Sequence, residues 1–242
     1  MTKFYLPTTS ISLFIVLLFV LSGCGKSAED KANERAIEFM SKQDYAEAVK
    51  ELSTAIEQDK NYLPAYYNRA ICYSFLDKTE GAIQDLSFVI NNQKPEEQAY
   101  LNRAILYENQ KNYKLAIKDY SEILKISPKN KKALHFRGIC NYYEKNYREA
   151  ISDYDLSIKY GLNSSGVYYN RAVAFDCQEN YTKAIVDYSK AIQIDKQLER
   201  AYFARGIAKL KNGQRNAAIS DIKQSEQLGS AKATNLLQII KN

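Results

Sequence analysis

Residues 103–119 read RAILYENQKNYKLAIKD, and the small residues Ala104 and Ala116 in this stretch recur along the chain with a period of 34. Steps of 34 from Ala104 meet only alanine or glycine, at Ala36, Ala70, Ala104, Gly138, Ala172 and Gly206. The same steps from Ala116 meet alanine each time, at Ala48, Ala82, Ala116, Ala150, Ala184 and Ala218. A period kept over six units without an insertion predicts a repeat architecture, in which each unit is one supersecondary element.

Each unit is predicted to form two antiparallel helices joined by a short polar turn. In the stretch 103–119 the two alanines lie twelve residues apart, and Lys111-Asn112-Tyr113 lies between them. The same turn position carries Asn or Asp in four units, at Asp44, Asn112, Asn146 and Asn180. Such a residue directly before an apolar run predicts a helix N-cap, whose side chain accepts a hydrogen bond from a free backbone N–H.

A single helical hairpin cannot bury its apolar face alone, so neighbouring units are expected to stack into a solenoid. The open end of such a stack exposes core, and residues 231–242 predict a capping helix that closes it. The apolar stripe of this helix has helical spacing and consists of Ala233, Leu236, Leu237 and Ile240.

These units resemble tetratricopeptide repeats (TPRs), a family with the same period. The resemblance covers residues 31–230, and the family's Trp-like position is filled by Tyr66, Tyr100, Leu134, Tyr168 and Tyr202. It implies an all-α TPR solenoid, a right-handed superhelix of six helix-turn-helix repeats followed by the C-terminal capping helix at 231–242. It also implies that the chain holds other proteins and is not an enzyme.

An arginine recurs once per unit, immediately before the first small residue, at Arg35, Arg69, Arg103, Arg137, Arg171 and Arg205. A carboxylate follows sixteen residues later, at Glu51, Asp85, Asp119, Asp153, Asp187 and Asp221. Because the two positions are equidistant from the turn, they are expected to face each other in the hairpin and form structural ion pairs. The flat guanidinium suits a partly buried pair better than an ammonium group does. The alternative is a row of cations that binds an acidic ligand.

TPR superhelices bind ligands in a concave groove lined by the first helix of each unit. The resemblance places ten residues there: Tyr67, Ile71, Leu101, Ile105, His135, Ile139, Tyr169, Val173, Phe203 and Ile207. This row is apolar and aromatic, which implies a protein or peptide partner with apolar anchors. The alternative is that these residues pack between neighbouring helices.

Two features of the groove refine the expected ligand. The carboxylate clamp of chaperone-binding TPRs needs an Asn where this chain has Ile or Val, so a chaperone tail is not expected. Three amides on the first helices, Asn68, Asn102 and Asn170, could bond a peptide backbone.

The N-terminal residues predict an export signal and a lipid anchor. Residues 11–21 form an apolar stretch interrupted only by Ser12. This stretch is too short to span a bilayer, which takes about 20 residues. The sequence LSGC, which ends at Cys24, follows and resembles the lipobox of bacterial lipoproteins. The resemblance implies a signal peptide over 1–23, a lipid on Cys24 and a lipidated tether over 24–30.

A lipid on Cys24 implies an exported chain that is anchored to the cell membrane. Gly25 follows the cysteine, where an Asp would have favoured retention at the inner membrane. We therefore expect the periplasmic face of the outer membrane if the organism is Gram-negative. Two alternatives are a conventional signal peptide with an unrelated cysteine, and an intracellular TPR protein with an uncleaved N-terminal anchor.

The composition argues against other classes of function. The net charge of +6 is spread among alternating acidic and basic residues, so nucleic-acid binding is not expected. His135 is the single histidine, and no phosphate loop or nucleophile motif is present, so we expect no catalytic residue, metal, cofactor or small-molecule substrate. The cysteines after Cys24, namely Cys72, Cys140 and Cys177, are expected to be buried free thiols.

Overall fold

The computed structural model describes residues 26–92 and 96–241, and helices dominate this part of the chain. Thirteen helices are found among these residues, stacked in antiparallel pairs, which confirms the prediction of an all-α repeat array. The described residues divide into two compact units, one ending at Pro128 and the other beginning at Lys129. We call them the N-terminal unit and the C-terminal unit.

The N-terminal unit contains three helical hairpins, and each of its helices packs against the next one in the chain. The helices are α1 (Ala28–Ser41), α2 (Tyr45–Gln58), α3 (Leu63–Phe75), α4 (Thr79–Asn92), α5 (Glu97–Asn109) and α6 (Tyr113–Ile126).

The C-terminal unit contains three further hairpins and a terminal helix. The helices are α7 (Lys131–Tyr143), α8 (Tyr147–Lys159), α9 (Ser165–Cys177), α10 (Tyr181–Ile194), α11 (Glu199–Lys211), α12 (Arg215–Gln227) and α13 (Ala231–Lys241). Helix α13 covers the last hairpin, because Ala233 and Leu237 are buried with Ile222 of α12. The side chain of Ile240, the last member of the predicted stripe, lies outside the described part.

The crossing of the two helices in each hairpin requires small residues. All twelve alanine and glycine positions of the two series are buried. At Gly138 an added Cβ would lie 2.7 Å from Cε1 of Tyr154, a fully buried ring, so only glycine fits against this tyrosine as it is placed. The crossing is therefore set by the volume of the facing side chain.

The turns within the hairpins share one backbone conformation that we did not predict. The residue before the N-cap of each second helix has a left-handed φ, at Gln43, Asp77, Lys111, Lys145, Glu179 and Gly213. The next N–H bonds a carbonyl five residues back, as from Asn112 to Tyr107 at 2.8 Å. This is the Schellman ending of a helix, which satisfies carbonyls that would otherwise have no partner.

The predicted N-caps are confirmed in part. Asp44 and Asn180 accept hydrogen bonds from the backbone N–H groups of Glu47 and Lys183, at 3.3 and 3.2 Å. Asn112 and Asn146 occupy the N-cap position, but their side chains make no capping bond. The first repeat also begins earlier than predicted. Ser27 and Asp30 form a capping box that starts α1 at Ala28, which shortens the predicted tether.

Each arginine of the series is bonded to the carboxylate sixteen residues later. Arg103 is representative, because Nε and Nη2 donate to the two oxygens of Asp119 at 2.9 and 2.7 Å. The same two-point geometry holds the pairs Arg69–Asp85, Arg137–Asp153, Arg171–Asp187 and Arg205–Asp221. Arg35 bonds a single oxygen of Glu51 and is half exposed. Each pair joins the two helices of one hairpin.

The same guanidinium groups also link successive repeats. Arg103 Nη1 donates to Ser87 Oγ of the preceding repeat at 2.9 Å, sixteen residues earlier in the chain. The corresponding acceptors are Ser53 for Arg69, Asp155 for Arg171 and Ser189 for Arg205. The rings of Tyr100 and Tyr107 lie 5.9 and 5.8 Å from Arg103 Cζ. These contacts leave the guanidinium groups after Arg35 little surface to offer to an acidic ligand.

Replacing Asp119 with alanine should lower the free energy of unfolding by about 3 kcal/mol, because it leaves the mostly buried guanidinium of Arg103 without its carboxylate. Chemical denaturation followed by circular dichroism measures the change. The matched control is Glu122→Ala, which removes an exposed ion pair with Lys125 and should cost less than about 1 kcal/mol. Equal effects of the two substitutions would contradict a structural role for the Asp119 pair.

Candidate functional site

The ten residues assigned to the groove divide into two groups by burial. Six are buried between helices: Tyr67, Ile71, His135, Ile139, Tyr169 and Val173. The other four are partly exposed: Leu101 and Ile105 on α5, and Phe203 and Ile207 on α11. The buried residues keep at most 9% of their surface accessible, which is too little for a ligand contact. Only the second group is therefore available for binding in this conformation.

Close packing between the first helices of successive repeats explains the buried group. Side chains 35 residues apart meet across this contact, as where Asn102 Nδ2 donates to the Tyr67 hydroxyl at 3.0 Å. The amide of Asn68 likewise donates to Asn33 at 2.9 Å. Both amides are buried, and so is Asn170. The expectation that these amides bond a peptide backbone is therefore not met in this conformation.

Aromatic residues at the end of α7 keep part of their surface exposed, which we did not predict. Tyr142 and Tyr143 end α7, and Tyr143 is 37% exposed. The Tyr142 hydroxyl lies 3.9 Å from the Cys177 sulfur, which donates to it. Leu210 occupies the equivalent end of α11 and is partly exposed. Tyr142 and Leu210 lie seven residues after His135 and Phe203, so extending each helical stripe by two turns would have found them.

Charged groups flank this surface in the C-terminal unit. The Arg200 guanidinium carbon lies 5.1 Å from the centre of the Tyr169 ring, and burial raises the pKa of Tyr169 to about 12. Lys211 Nζ is 3.1 Å from Asp176 Oδ1 and 5.1 Å from the centre of the Tyr181 ring. We call Tyr142, Tyr143, Phe203, Ile207 and Leu210, with these flanking charges, the first-helix surface.

His135 is a buried core residue in this structure. The centre of its ring lies 5.6 Å from the ring centre of Phe136 and 5.7 Å from that of Tyr154, and its Nδ1 has no hydrogen-bond partner. Burial lowers the pKa of His135 to about 4, so the imidazole is neutral at physiological pH. A neutral, enclosed imidazole among aromatic rings has the environment of a packing residue.

The cysteine prediction holds for two of three positions. Cys72 and Cys140 are free and buried, and burial raises the pKa of Cys72 to about 12. Cys177 is free but exposed, so that part of the prediction is wrong. It is the last residue of α9.

The described residues contain neither a candidate metal site nor a candidate membrane span. Within residues 26–92 and 96–241, no cluster of three His, Cys, Asp or Glu side chains could hold a metal ion. No helix in the same ranges has the length and apolar character needed to cross a membrane. The predicted lipidation site, Cys24, lies outside the described residues.

Family models match three segments of the chain. Residues 97–130 and 52–84 match models described as tetratricopeptide repeat, and residues 178–213 match one described as TPR repeat. The chain is a tetratricopeptide repeat protein. Repeats of this class act as scaffolds for protein–protein interactions and are typically not enzymes. No match to the chain is found among curated proteins.

Solved TPR structures share this fold. The C-terminal part of a TPR repeat-containing protein from Cytophaga hutchinsonii superposes with a TM-score of 0.70 at 18% identity, covering 81% of this chain and 78% of that one. A tetratricopeptide repeat protein from Parabacteroides merdae has a TM-score of 0.64 at 19% identity, covering 89% of this chain and 99% of that one. YrrB, described as a TPR protein with an unusual peptide-binding site, has a TM-score of 0.68 at 14% identity, covering 77% of this chain and 97% of that one. Identities this low concern the fold alone.

Replacing His135 with phenylalanine should remove a pH-dependent part of the stability. Because the folded chain holds His135 at a pKa of about 4 and the unfolded chain near 6.5, the unfolded state binds the proton first as the pH falls. The wild-type chain should therefore lose about 3 kcal/mol of unfolding free energy between pH 6.5 and 4 that the variant retains. Denaturant titrations at several pH values measure this difference. An equal loss of unfolding free energy in both chains would show that His135 does not cause the pH dependence.

Proposed function

We propose that this TPR protein is a lipid-anchored scaffold of the bacterial cell envelope, which binds an apolar segment of a partner protein on its first-helix surface. The observation that carries the proposal is the set of apolar and aromatic side chains that stay partly exposed there. Phe203 and Ile207 lie one helical turn apart on α11, and Leu210 continues the same stripe. Phe203 and Leu210 pack partly against the core of the terminal helices and keep the rest of their surface exposed. Partner segments commonly bind through apolar anchors at such spacings.

The chemistry of the surface supports an apolar ligand more than a charged one. Five of the six arginines in the series are mostly enclosed by their carboxylates and the surrounding side chains. Tyr142 and Tyr143 offer ring surface together with a hydroxyl, a combination that is favoured in protein interfaces. The unusual peptide-binding site described for YrrB, which has a similar fold, is consistent with a peptide-like ligand here.

The proposed anchor would hold the repeats close to the membrane. Only Gly25 and Lys26 separate Cys24 from Ser27, the residue that caps α1. Even a fully extended chain spans about 10 Å over three residues. Two or three acyl chains on one residue give stable membrane attachment, whereas one chain gives marginal attachment. The first repeat would then lie within a short distance of the lipid headgroups.

The double substitution Phe203→Ser and Ile207→Ser should abolish partner capture, because it removes two adjacent, partly exposed apolar anchors from the first-helix surface. Photo-cross-linking in intact cells, with the cross-linker placed at Tyr143, measures capture. Val186→Ser is the surface control, since Val186 is 65% exposed on α10 and lies on a second helix. It should leave capture unchanged.

A second pair of substitutions separates binding from folding. Tyr169→Ser and Val173→Ser change buried residues of α9, so they should lower the melting temperature strongly. The Phe203 and Ile207 variant should melt closer to the wild-type chain, because both side chains are only partly buried. Retained capture in the folded Phe203 and Ile207 variant would exclude this surface as the binding site.

Replacing Cys24 with serine should prevent lipid attachment, because the sulfur is the proposed acylation site. Metabolic labelling with a palmitate analogue, followed by membrane fractionation, measures both the modification and the location. The wild-type chain should be labelled and sediment with membranes, and the variant should be unlabelled. Membrane association without label in the wild-type chain would favour the alternative of an uncleaved N-terminal anchor.

A further inference from the structure

The edge where one repeat joins the next has a one-sided charge in the C-terminal unit. This inter-repeat edge consists of the last turn of each second helix, the following loop and the first turn of the next first helix. Hydrogen bonds hold it together, since Ser157 Oγ of α8 donates to the Lys131 carbonyl of α7 at 2.7 Å, and Lys131 Nζ donates to the Gly161 carbonyl at 3.2 Å. Because every first helix begins at this edge, the junctions between repeats lie side by side at the spacing of packed helices, about 10 Å.

Among the described residues of this edge, every charged side chain that is well exposed is a lysine. We call these six residues the basic edge: Lys129, Lys131, Lys132, Lys159, Lys196 and Lys232. The acidic residues beside them, Asp195, Glu199 and Glu226, are partly buried. Two of these are also held by local hydrogen bonds, because Asp195 accepts one from the Gln197 N–H at 3.0 Å and Glu199 accepts one from the Ser225 hydroxyl at 2.9 Å. The surface that the edge presents to its surroundings is therefore positive.

Equivalent surfaces elsewhere in the chain have exposed charges of both signs. On the inter-repeat edge of the N-terminal unit, the exposed charged residues that the structure describes are Glu57 and Glu96 together with Lys26, Lys31, Lys60 and Lys125. At the turns within the hairpins of the C-terminal unit, Glu149 and Glu179 are exposed along with Lys145 and Arg148. The repeat architecture itself therefore does not require a purely basic edge.

Three of the lysines also oppose the local preference of their helices. The positive end of a helix dipole lies at the N-terminus, so basic side chains in the first turn weaken a helix. Helix α7 nevertheless begins with Lys131 and Lys132 and has no acidic residue in its first turn. Helix α13 carries Lys232 there and likewise has no acidic residue. In contrast, α1 has Glu29 and Asp30 at this position. Helix stability therefore does not account for these lysines.

The residue types on this edge fit a lipid surface better than a defined acidic peptide. Arginine binds a single carboxylate through its flat fork, and this chain uses it in that way for its structural pairs, whereas lysine acts as a point charge. The basic edge is built from lysines, which suit a fluid array of anionic headgroups. An apolar side chain lies among them, because Ile194 ends α10 two residues before Lys196 and is 40% exposed. Basic and apolar side chains together favour the boundary between headgroups and acyl chains.

We propose that the basic edge of the C-terminal unit docks onto an anionic lipid surface, with Ile194 entering the headgroup region. Each lysine close to such a surface strengthens binding about fivefold, so six lysines acting together give firm but salt-dependent attachment. The proposed lipid anchor supplies only the setting, because an anchored chain meets the membrane at a high local concentration. Tyr143 and Leu210 lie toward the opposite ends of α7 and α11, helices of 13 residues that span about 20 Å. Docking through the basic edge therefore leaves the first-helix surface free for the proposed partner.

Vesicle co-sedimentation tests the proposal on the chain from Lys26 to Asn242, which contains every described helix and lacks Cys24. In about 0.05 M salt the chain should bind vesicles made of equal parts phosphatidylglycerol and phosphatidylcholine, and in about 0.5 M salt binding should weaken at least about tenfold. Vesicles of phosphatidylcholine alone should bind at least about tenfold more weakly. Equal binding to both vesicles overturns the proposal, and so does binding to polyglutamate or DNA without binding to the anionic vesicles. Because Cys24 is absent, this result is independent of whether the natural chain is lipidated.

Neutralising half of the basic edge locates the contact. The edge variant carries Lys132→Gln, Lys159→Gln and Lys196→Gln, three exposed lysines at successive junctions. It should bind the anionic vesicles at least about tenfold more weakly than the unsubstituted chain, because three of the six attractive charges are gone. Undiminished binding by this variant would exclude the basic edge as the docking surface.

A matched control separates the edge from net charge. Lys145, Arg148 and Arg215 lie at the turns within the hairpins and are exposed. Replacing these three with glutamine changes the net charge as much as the edge variant does. The control should lose less than about threefold in binding, because its charges lie about two screening lengths from the membrane. An equal loss in both variants overturns the assignment to the basic edge. Circular dichroism melts verify that each variant is folded.

A tryptophan reporter tests whether the edge enters the lipid. The chain contains no tryptophan, so a single one gives an unambiguous fluorescence signal. In the Ile194→Trp chain, the emission maximum should move to shorter wavelength when anionic vesicles are added, because the indole leaves water. In the Ala217→Trp chain, where the reporter is exposed near the start of α12, the emission should stay unchanged. A shift for Ala217→Trp without one for Ile194→Trp overturns the proposed orientation, and no shift in either chain overturns the entry of residue 194 into the headgroup region.

Discussion

The structure depends on a guanidinium group that is held from two sides. Arg103 and Arg171 each bond a carboxylate of their own hairpin and an oxygen of the preceding repeat. Burial raises the pKa of Asp119 despite the opposing hydrogen bond and charge of Arg103. The desolvation cost of the pair is therefore offset by the three hydrogen bonds that the Arg103 guanidinium donates, one from each of its nitrogens. The small residues next to each arginine allow the helices to approach closely enough for this geometry.

Much of the fold could be predicted because its determinants are local and periodic. The two series of small residues define the helix crossing, and the equal distance of Arg103 and Asp119 from the turn places them face to face. The Schellman turns were missed because five of the six left-handed residues, among them Lys111 and Glu179, are not glycine. Nothing in the residue type of a lysine indicates a left-handed backbone conformation. It is fixed by the helix ending around it, and its strain is balanced by the bonds of that ending.

The candidate site was harder to predict because burial is a property of the stack. Tyr169 and Phe203 occupy equivalent repeat positions and are both aromatic, yet Tyr169 is buried and Phe203 is partly exposed. The two residues differ in the helices that follow them. Helix α9, which carries Tyr169, is packed against the next first helix, α11, whereas α11, which carries Phe203, is followed only by α12 and α13. No single repeat carries this information.

The reach of the arginine has a consequence for how such a chain changes length. Its two acceptors lie sixteen residues before and sixteen residues after it, within less than one repeat on either side. Duplication of a whole central repeat would therefore give the new arginine a serine or aspartate oxygen sixteen residues behind it and an aspartate sixteen residues ahead of it. Insertion of any other length would separate an arginine from one acceptor and leave a buried charge with half of its bonds. The array can grow only in whole steps of its own period.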